Sequence, residues 1–514
     1  MGYREITLTL PVGYTESQLK RTIGTILEIS DFSYSIAQKS LDARKKSHIH
    51  WLIRAGVASH ELDGPEHPAA PGLHIPYKKR AQKAVVVGSG PAGFFSAFVL
   101  QKAGFAVTLI ERGADVGKRA QCIRTFETGG DFDASGNYAF GEGGAGTFSD
   151  GKLTSRTKSI SREKNFIIGN YLQAGAPEEI RYLTHPHLGS NNLKKIVKKL
   201  RDAFREIGGT ILFETFCEDV TVRNHRVTGV VTGCGEIEAD YCIMATGQNA
   251  YETYRMLMQR GVTFRTKNFA IGCRVEHPQE LINLAQWGVA ELPGVKAAEY
   301  RLTANPPGRL PVYTFCMCPG GTIVPATPYA DANIVNGMSL YLRNNRFANA
   351  ACVAGVSMDR LCGSEVTPAQ ALEWLRNLEH RFFEYAKGYQ APSCSIQEFI
   401  KGKAVGTQPG KSSYPLGLKS APLWELLPEE VSRSIREGLK VFCRKVKGFE
   451  TGSIMGLESK TSAPIQVIRD DMRRCAGFTN LFMAGEGSGH AGGIISSGTD
   501  GIRAAMRIIE LAGS

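Results

Sequence analysis

The most informative feature of the sequence is the glycine spacing in Val85–Gly93, which reads Val-Val-Val-Gly-Ser-Gly-Pro-Ala-Gly. Gly88 permits a tight turn, Gly90 lets the backbone approach a pyrophosphate, and Gly93 lets the following helix lie close to the strand. The amide groups at the start of that helix then point at the anion. Glu111 ends the next predicted strand, where its carboxylate would accept a hydrogen bond from a ribose 2′-OH. These residues predict a dinucleotide site.

Side chains that could act on a substrate occur in three other places. The imidazole of His490 suits proton transfer because its ordinary pKa is about 6.5, although a spacer role in its loop is the alternative. Cys316 and Cys318 would share one strand face and could face a cleft, but a disulfide between such close partners is strained, and small buried thiols are the default interpretation. Arg274 and Glu276 could bind a carboxylate, although we favour pairing with each other. His490, Cys318 and Arg274 are the candidate catalytic residues, and no residue is assigned to a metal.

The elements before the glycine motif predict a small separate domain. Residues 1–60 form an α+β unit in which Thr15 caps a helix that extends to Ile29. Its strands are predicted at Glu5–Leu10, Tyr34–Leu41 and Ser47–Ile53. Residues 61–82 are predicted to form a linker or an extended strap. This linker contains Pro65, Pro68, Pro71 and Pro76.

The remaining elements predict two further domains, one inserted into the other. Residues 83–260 and 460–514 would form the dinucleotide-binding domain, and residues 261–459 an inserted domain with a mixed or antiparallel sheet. Predicted elements of the first are Pro91–Ala103, Ala106–Ile110, Asn191–Glu206 with Ser190 as N-cap, Thr210–Phe216, Val220–Arg223, Arg226–Thr232, Glu236–Ala239, Tyr241–Gly247, Leu481–Ala484 and Thr499–Leu511. Predicted elements of the second are Phe269–Glu276, Lys296–Leu302, Pro311–Cys316, Ile334–Leu342, Pro368–Lys387 and Pro428–Lys445.

The composition is that of a globular protein, with 42% hydrophobic and 21% charged residues. No apolar run approaches the roughly 18 residues that span a bilayer, so we expect no membrane span. The 12 cysteines are scattered without a C-x-x-C pair, which favours reduced thiols and a cytoplasmic location. The net charge of +12 suits anionic cofactors and substrates. Nucleic acid is the less favoured partner because the basic residues are spread along the chain.

Three glycine-rich blocks occur along the chain: Gly88–Gly93 with Glu111, Ala245–Gly247, and Leu481–Gly487. In this order they resemble the two-dinucleotide-binding-domain flavoproteins, which bind FAD in an extended form. The chain is more similar still to the bacterial FAD-dependent dehydrogenase family, a group of NAD(P)/FAD-dependent oxidoreductases with an N-terminal α+β extension. The segments that carry this resemblance are Phe140–Leu153, Pro186–Gly189, Phe315–Gly321, Asn336–Ser339 and Ala491–Ile494. The implied fold class is α/β, with a glutathione-reductase-like Rossmann domain for FAD, an inserted mixed-sheet substrate domain and a small N-terminal α+β domain.

The resemblance also implies which residues contact FAD. The loop after Phe140 would pack its backbone against the ribityl chain and flavin ring, and the last helix would direct its positive end at flavin N1 and O2. Lys118 or Arg119 could pair with the phosphates, or form a solvated cluster with Arg112. His490 stands where that family carries an aromatic residue, beside the flavin. The predicted contacts are Gly88, Gly90, Pro91, Ala92, Gly93, Glu111, Arg112, Arg119, Gly143, Gly144, Ala145, Gly146, Thr147, Val220, Ala245, Thr246, Gly247, Gly485, Glu486, Gly492, Gly493 and Ile494.

The leading functional hypothesis is an FAD-dependent oxidoreductase of the dehydrogenase or reductase type. Hydride would pass between flavin N5 and a small-molecule substrate in the cleft between the domains. Because only one full dinucleotide fingerprint is present, NAD(P)H would be at most a transient electron donor. The alternatives are an FAD-dependent monooxygenase using NAD(P)H and O2, an RNA-binding or RNA-modifying flavoprotein that docks through residues 1–60, and a non-catalytic FAD-binding scaffold.

Overall fold

The computed structural model describes residues 1–66, 72–403 and 410–513. Pro68 and Pro71 of the predicted linker lie outside the described residues. The helices are α1 (Glu16–Leu27), α2 (Pro91–Lys102), α3 (Val116–Glu127), α4 (Ser161–Gln173), α5 (Gly189–Glu206), α6 (Tyr251–Gln259), α7 (Gln279–Trp287), α8 (Met358–Cys362), α9 (Pro368–Ala386), α10 (Ile396–Lys401), α11 (Leu423–Leu426), α12 (Glu429–Lys445) and α13 (Ile494–Gly513).

Five sheets in the described part of the chain are built from 21 strands. They are β1 (Gly2–Pro11), β2 (Ser33–Asp42), β3 (His50–Ser59), β4 (Lys83–Val87), β5 (Ala106–Ile110), β6 (Thr210–Leu212), β7 (Cys217–Arg223), β8 (Arg226–Thr232), β9 (Gly235–Glu238), β10 (Tyr241–Met244), β11 (Phe264–Thr266), β12 (Phe269–Pro278), β13 (Thr303–Ala304), β14 (Val312–Pro325), β15 (Val335–Ser339), β16 (Phe347–Val356), β17 (Ala391–Ser395), β18 (Leu418–Ser420), β19 (Ser453–Glu458), β20 (Ile465–Val467) and β21 (Leu481–Met483).

The N-terminal residues form an antiparallel sheet in the order β1-β3-β2, with α1 packed on one face. Thr15 caps α1 in a capping box, because its side chain accepts from the backbone of Gln18 while the Gln18 side chain accepts from the backbone of Thr15. Ile23 of α1 is fully buried against Ile53 and Val57 of β3 in one apolar cluster. This small domain therefore has a core of its own.

The dinucleotide-binding domain is built on a parallel sheet in the order β21-β10-β4-β5-β6. Helices α2 and α13 pack on each other against one face, and the β7-β8-β9 meander joins β6 to β10. From β4 the chain crosses to β5 on one side, while β10 lies on the other. Ligands of open α/β sheets bind at such a switch point, at the carboxyl ends of the strands. The predicted Rossmann-like fold class is confirmed.

The second large sheet is mixed, in the order β13-β14-β16-β12-β19-β17-β18, with β15 paired to β14. Its pairs are antiparallel except β17 with β18. Helix α12 packs on strands β12, β14 and β16. The chain passes between the two sheets at β11 and β20, which pair with each other. The boundaries 83–260, 261–459 and 460–514 stay a prediction.

Several predicted elements differ from the structure, among them β3, which spans His50–Ser59 where Ser47–Ile53 was predicted. Helix α5 begins at Gly189, so Ser190 lies inside the helix and Leu188 takes the cap position without a side-chain bond. Strand β6 ends at Leu212, short of Phe216, and α13 begins at Ile494, earlier than Thr499. Residues 296–302 pair with no strand among the described residues. This segment instead forms part of the cavity wall, which residues 296–301 line consecutively, with Ala297, Ala298 and Tyr300 buried.

No helix among the described residues is long and apolar enough to cross a membrane.

Candidate functional site

One cavity of about 1650 Å³ runs from the switch point of the Rossmann-like sheet to the mixed sheet. Its walls come from the ends of β4 and β10, the glycine-rich loop after Phe140, the start of α13 and the β14 strand. Lys39 and Trp51 of the N-terminal domain lie at its rim, where the Lys39 ammonium sits 4.4 Å from the Trp51 ring centroid. All three predicted domains therefore contribute side chains to one site.

The dinucleotide turn lies at one end of this cavity. Gly88, Gly90, Pro91 and Ala92 line it. Gly88 has a φ of +101°, a conformation that favours glycine. Gly93 faces away from the cavity, and a Cβ there would lie 1.8 Å from the carbonyl oxygen of Gly88. Gly93 thus permits the close approach of α2 to β4 and does not contact a ligand itself.

Glu111 lies at the next strand end, lines the cavity and is 5% exposed. Its carboxylate accepts hydrogen bonds from Ser89 N at 2.9 Å, Ser89 Oγ at 2.7 Å and Gly113 N at 2.9 Å. Arg112 stacks on the rings of Phe140 and Phe216, 3.9 Å and 4.8 Å from their centroids. These residues place an acid and a stacked guanidinium at this end of the cavity.

Two predictions at this end are wrong. Val220 is buried within the meander sheet opposite Val230 and does not line the cavity, which Phe216 and Cys217 line instead. Arg119 is fully buried and does not reach a phosphate position. Its guanidinium donates to the carbonyl oxygens of Asn137, Tyr138, Gly141, Glu142 and Gly144. Arg119 therefore holds the glycine-rich loop in shape, and burial lowers its pKa to about 10.

The glycine-rich loop presents only part of its predicted contacts to the cavity. Gly144, Ala145 and Gly146 line it. Gly143 and Thr147 lie behind the loop, because a Cβ on Gly143 would meet the Thr147 hydroxyl and the Val197 side chain. Gly144 and Gly90 approach so closely that a Cβ on Gly144 would lie 2.9 Å from the Gly90 Cα. The loop and the dinucleotide turn thus form one backbone-lined cradle.

The start of α13 forms the opposite end of this cradle. Gly485, Glu486, Gly492, Gly493 and Ile494 all line the cavity. A carboxylate oxygen of Glu486 accepts from Gly493 N at 2.7 Å, and burial raises the pKa of Glu486. A Cβ on Gly492 or Gly493 would meet only open space. The helix therefore directs its positive end toward the cavity, with the loop before it held by Glu486.

His490 lines the cavity, but both of its ring nitrogens have protein partners. Nε2 donates to the Val467 carbonyl oxygen at 3.0 Å, so Nδ1 is the acceptor for the Gln466 amide at 3.3 Å. Burial, and then the charge of Arg469, lower the pKa of His490. The neutral ring thus fastens its own loop to β20. In this arrangement His490 is not placed to accept a proton from a substrate, contrary to the prediction.

Arg274 and Cys318 lie one layer behind the cavity wall rather than in it, and both are fully buried. The Arg274 guanidinium forms an ion pair with Glu458 at 2.7 Å and donates to Cys316 O at 2.7 Å. The predicted pairing with Glu276 is wrong, because the Glu276 carboxylate accepts instead from Ser413. Arg274 is therefore a positioning residue for the β14 wall, where Cys316 faces the cavity.

Five lysines that were not predicted from the sequence line the cavity, and three of them are Lys152, Lys267 and Lys460. Lys152 Nζ donates to the Met317 carbonyl oxygen and lies 3.3 Å from Asp150, whose charge keeps the pKa of Lys152 high despite its burial. Lys267 Nζ donates to Gly489 O at 2.7 Å, and burial lowers its pKa. Lys460 pairs with the buried Glu379. Lys152 stands between Gly151 and Leu153, whereas Lys267 stands between Thr266 and Asn268, so the two share no sequence signal.

The cavity residues fit an extended dinucleotide. Thr246 Oγ1 and Asn249 Oδ1 are buried atoms of the wall without a hydrogen-bond partner. Ala245, Thr246 and Gly247 line the wall, and a Cβ on Gly247 would meet only open space. Buried polar atoms normally have partners, so these atoms mark where a polar ligand belongs. Among the described residues no group of three His, Cys, Asp or Glu side chains could hold a metal ion.

Comparisons with known proteins agree with this reading. Residues 268–461 match the family model described as FAD-dependent protein, C-terminal domain-like, and residues 86–146 match that of the NAD(P)-binding Rossmann-like domain. An uncharacterised protein from Clostridium beijerinckii is 36% identical over 494 residues, which is 92% of each chain.

Solved structures show weaker similarity. Glycine oxidase from Bacillus cereus has 12% sequence identity and a TM-score of 0.34, over 84% of this chain and 95% of the other. L-Proline dehydrogenase from P. horikoshii also has 12% identity and a TM-score of 0.34, over 84% of this chain and 94% of the other.

Proposed function

We propose that this chain, which belongs to the family of FAD-dependent proteins, passes a hydride between flavin N5 and a small-molecule substrate in the cavity between its two large sheets. FAD is its cofactor and its activity class is oxidoreductase, as the resemblance implied. Bound FAD supplies the hydride chemistry at N5. The chain's own residues bind the cofactor and orient the substrate.

The size of the cavity is the observation that carries this proposal. Its volume of about 1650 Å³ exceeds the roughly 300–1,000 Å³ typical of a site for one small ligand. The cradle of Gly88, Gly90 and Gly144 accounts for one end, and the wall around Cys316 and Tyr313 continues beyond it. We infer that a second ligand occupies this further part.

Cofactor binding is proposed for the residues that line the cradle. Gly90 and the start of α2 would face the pyrophosphate, and Glu111 the ribose. Gly492 and Gly493 at the start of α13, with the ammonium of Lys267 nearby, would stabilise negative charge at the flavin N1 and O2 edge. These residues bind through backbone amides and fixed charges.

The substrate part of the cavity carries positive charge at its wall. Arg301 lines it and has no hydrogen bond or ion pair to any described residue, and Lys152, which is paired with Asp150, lines the same cavity. A carboxylate is the group that such a guanidinium binds best, through two parallel hydrogen bonds. We therefore propose that the substrate is a small carboxylate.

The free state of all cysteines supports a reducing compartment such as the cytoplasm.

The test is a spectrum of the purified protein near ~450 nm, followed by anaerobic titration with NADH, with NADPH and with a panel of carboxylates. A flavin bleached by a carboxylate, with the rate lowered more than tenfold in Arg301→Met, would support the proposal. Bleaching by a nicotinamide with O2 consumption would instead support the monooxygenase hypothesis. A protein that holds no flavin after reconstitution would contradict both.

The RNA-binding hypothesis gains no support from the N-terminal domain. Trp51 is buried at the contact with the rest of the chain, and Arg44 is paired with Asp42. Lys39 N also donates to Tyr182 O at 2.8 Å, which ties this domain to the cavity rim. We therefore propose that residues 1–60 shape the entrance to the cavity.

A further inference from the structure

The β14 strand is irregular where it meets the cavity. Its pairing with β16 shifts register between Phe315 and Cys318 and again between Cys318 and Gly321. Within this bulge Cys316 has a φ of +44°, in the left-handed region that is unusual for a residue other than glycine. Such strain persists only where the surrounding structure holds it, and it is concentrated at functional sites. Cys316 lines the cavity, and Cys318 is buried directly behind it.

Two cations converge on this pair of thiols. Lys152 Nζ donates to the carbonyl oxygen of Met317, the residue between the cysteines. Arg274 Nη2 donates to Cys316 O at 2.7 Å and lies 3.5 Å from Cys318 Sγ. The hydrogen bond from Cys318, and then the charges of Lys152 and Arg274, lower the pKa of Cys316, while that of Cys318 is raised. These shifts favour ionisation of Cys316 over Cys318, and a thiolate beside a thiol is the combination that starts disulfide chemistry.

We propose that Cys316 and Cys318 are a redox-active pair that exchanges two electrons with bound FAD. In the oxidising direction the Cys316 thiolate sulfur bonds to the Cys318 sulfur and the Cys318 S–H bond breaks. Two electrons and that proton pass to FAD, so charge and hydrogen balance without another reactant. The reverse step cleaves the S–S bond and restores the thiolate and the thiol.

This pair goes beyond the proposed hydride transfer and depends only on bound FAD. A disulfide between residues two apart in sequence is strained, and strained disulfides are the easily reduced ones. The oxidised pair would thus accept two electrons from reduced FAD, and the thiolate and thiol formed in this step would hold them. Cys316, at the cavity surface, would be the sulfur that an incoming thiol attacks.

The first test uses the oxidised holoenzyme and reads the bond directly. Trypsin releases residues 310–343 as one peptide, which contains Cys316 and Cys318 and no other cysteine. After oxidation with diamide and alkylation in denaturant, we expect this peptide to be unalkylated and two hydrogens lighter. Cyanogen bromide cleaves this peptide after Met317 and Met338, and fragments 310–317 and 318–338 should then remain joined by the disulfide. A peptide that carries two alkyl groups after oxidation would overturn the proposal.

The second test counts electrons during anaerobic titration with dithionite. The oxidised wild-type holoenzyme should take up about twice as much dithionite per FAD as Cys316→Ser. The matched control is Cys352→Ala, which removes a buried thiol of β16 outside the cavity wall and should titrate like the wild type. Equal uptake by the wild type and Cys316→Ser would overturn the proposal. The peptide test needs no variant, and flavin content measured beforehand separates this result from a failure to bind FAD.

Discussion

The two walls of the cavity are built in different ways. On the Rossmann-like side the lining is largely backbone, and its conspicuous side chains are committed to holding that backbone, as Arg119, Glu486 and His490 show. On the mixed-sheet side the lining depends on charged side chains in pairs, such as Arg274 with Glu458 behind the bulge at Cys316. Backbone amides bind any dinucleotide of the right shape, whereas paired charges can tune one reaction.

The comparison shows why motif reasoning succeeded on one wall and failed on the other. A glycine is needed where a Cβ would collide, so its position in the sequence already indicates a role. A histidine or an arginine has several possible hydrogen-bond and ion-pair partners, and the tertiary structure determines which of them it contacts. His490 and Arg274 were predicted to be catalytic from residue type, and both proved to be fastened to other parts of the protein.

Gly93→Val should have the largest effect, on the backbone wall. A side chain there would collide with Gly88 O, so α2 would be pushed from β4 and the anion site distorted. We expect FAD binding at least 100-fold weaker, which corresponds to about 3 kcal/mol. The flavin-to-protein ratio after gel filtration measures this. Gly169→Ala in α4, where a Cβ meets nothing within 4 Å, is the control and should retain flavin.

Arg274→Met should have the next largest effect, but on stability. It leaves the Glu458 carboxylate buried without its partner, at a cost of about 3–5 kcal/mol in the free energy of unfolding. Denaturant unfolding measures this loss. The double variant Arg274→Met with Glu458→Leu should regain most of it, because both charges are then removed. A loss of activity with unchanged stability would show instead that Arg274 acts on the substrate.

Lys267→Met should alter the flavin without unfolding the protein. This ammonium borders the proposed flavin edge and donates only to a carbonyl oxygen among the described residues. Loss of this positive charge should destabilise reduced FAD by about 1–3 kcal/mol. The two-electron reduction potential of the flavin should therefore become about 20–60 mV more negative. Equilibration with redox dyes measures the shift. Lys267→Arg should keep the wild-type potential, and an unchanged potential in Lys267→Met would place the flavin edge elsewhere.

His490→Ala should have the smallest effect. Loss of its hydrogen bonds should cost about 1 kcal/mol of stability and change kcat by less than about tenfold, because the ring acts on its own loop. Its lowered pKa means that the unfolded chain binds more protons below about pH 6.5, so this residue contributes stability above that pH that is lost as the pH falls. The variant should therefore lose less stability on acidification. Loss of the pH dependence of kcat itself would restore the catalytic hypothesis.

The sequence predicted the secondary-structure elements best where the conformation of each residue is set by residues close to it in sequence. The Thr15 N-cap, the Pro91 start of α2 and the strand Ala106–Ile110 all occur as expected. The start of α5 did not, because Gly189 is placed by its close approach to Tyr341, a residue far along the chain. Local capping signals could not reveal that contact.

The sequence by itself indicated the family, the cofactor and the dinucleotide turn, because the family is carried by motifs along the chain and the turn by glycines that leave no room for a side chain. Only the tertiary structure decided which side chains reach the cavity. Lys152 and Lys267 come to it from separate segments, while Arg119 and Val220 turn away from it. The physical reason is that a side chain's partners are set by packing between distant segments. The bulge that presents Cys316, between the charges of Lys152 and Arg274, exists only in the assembled fold.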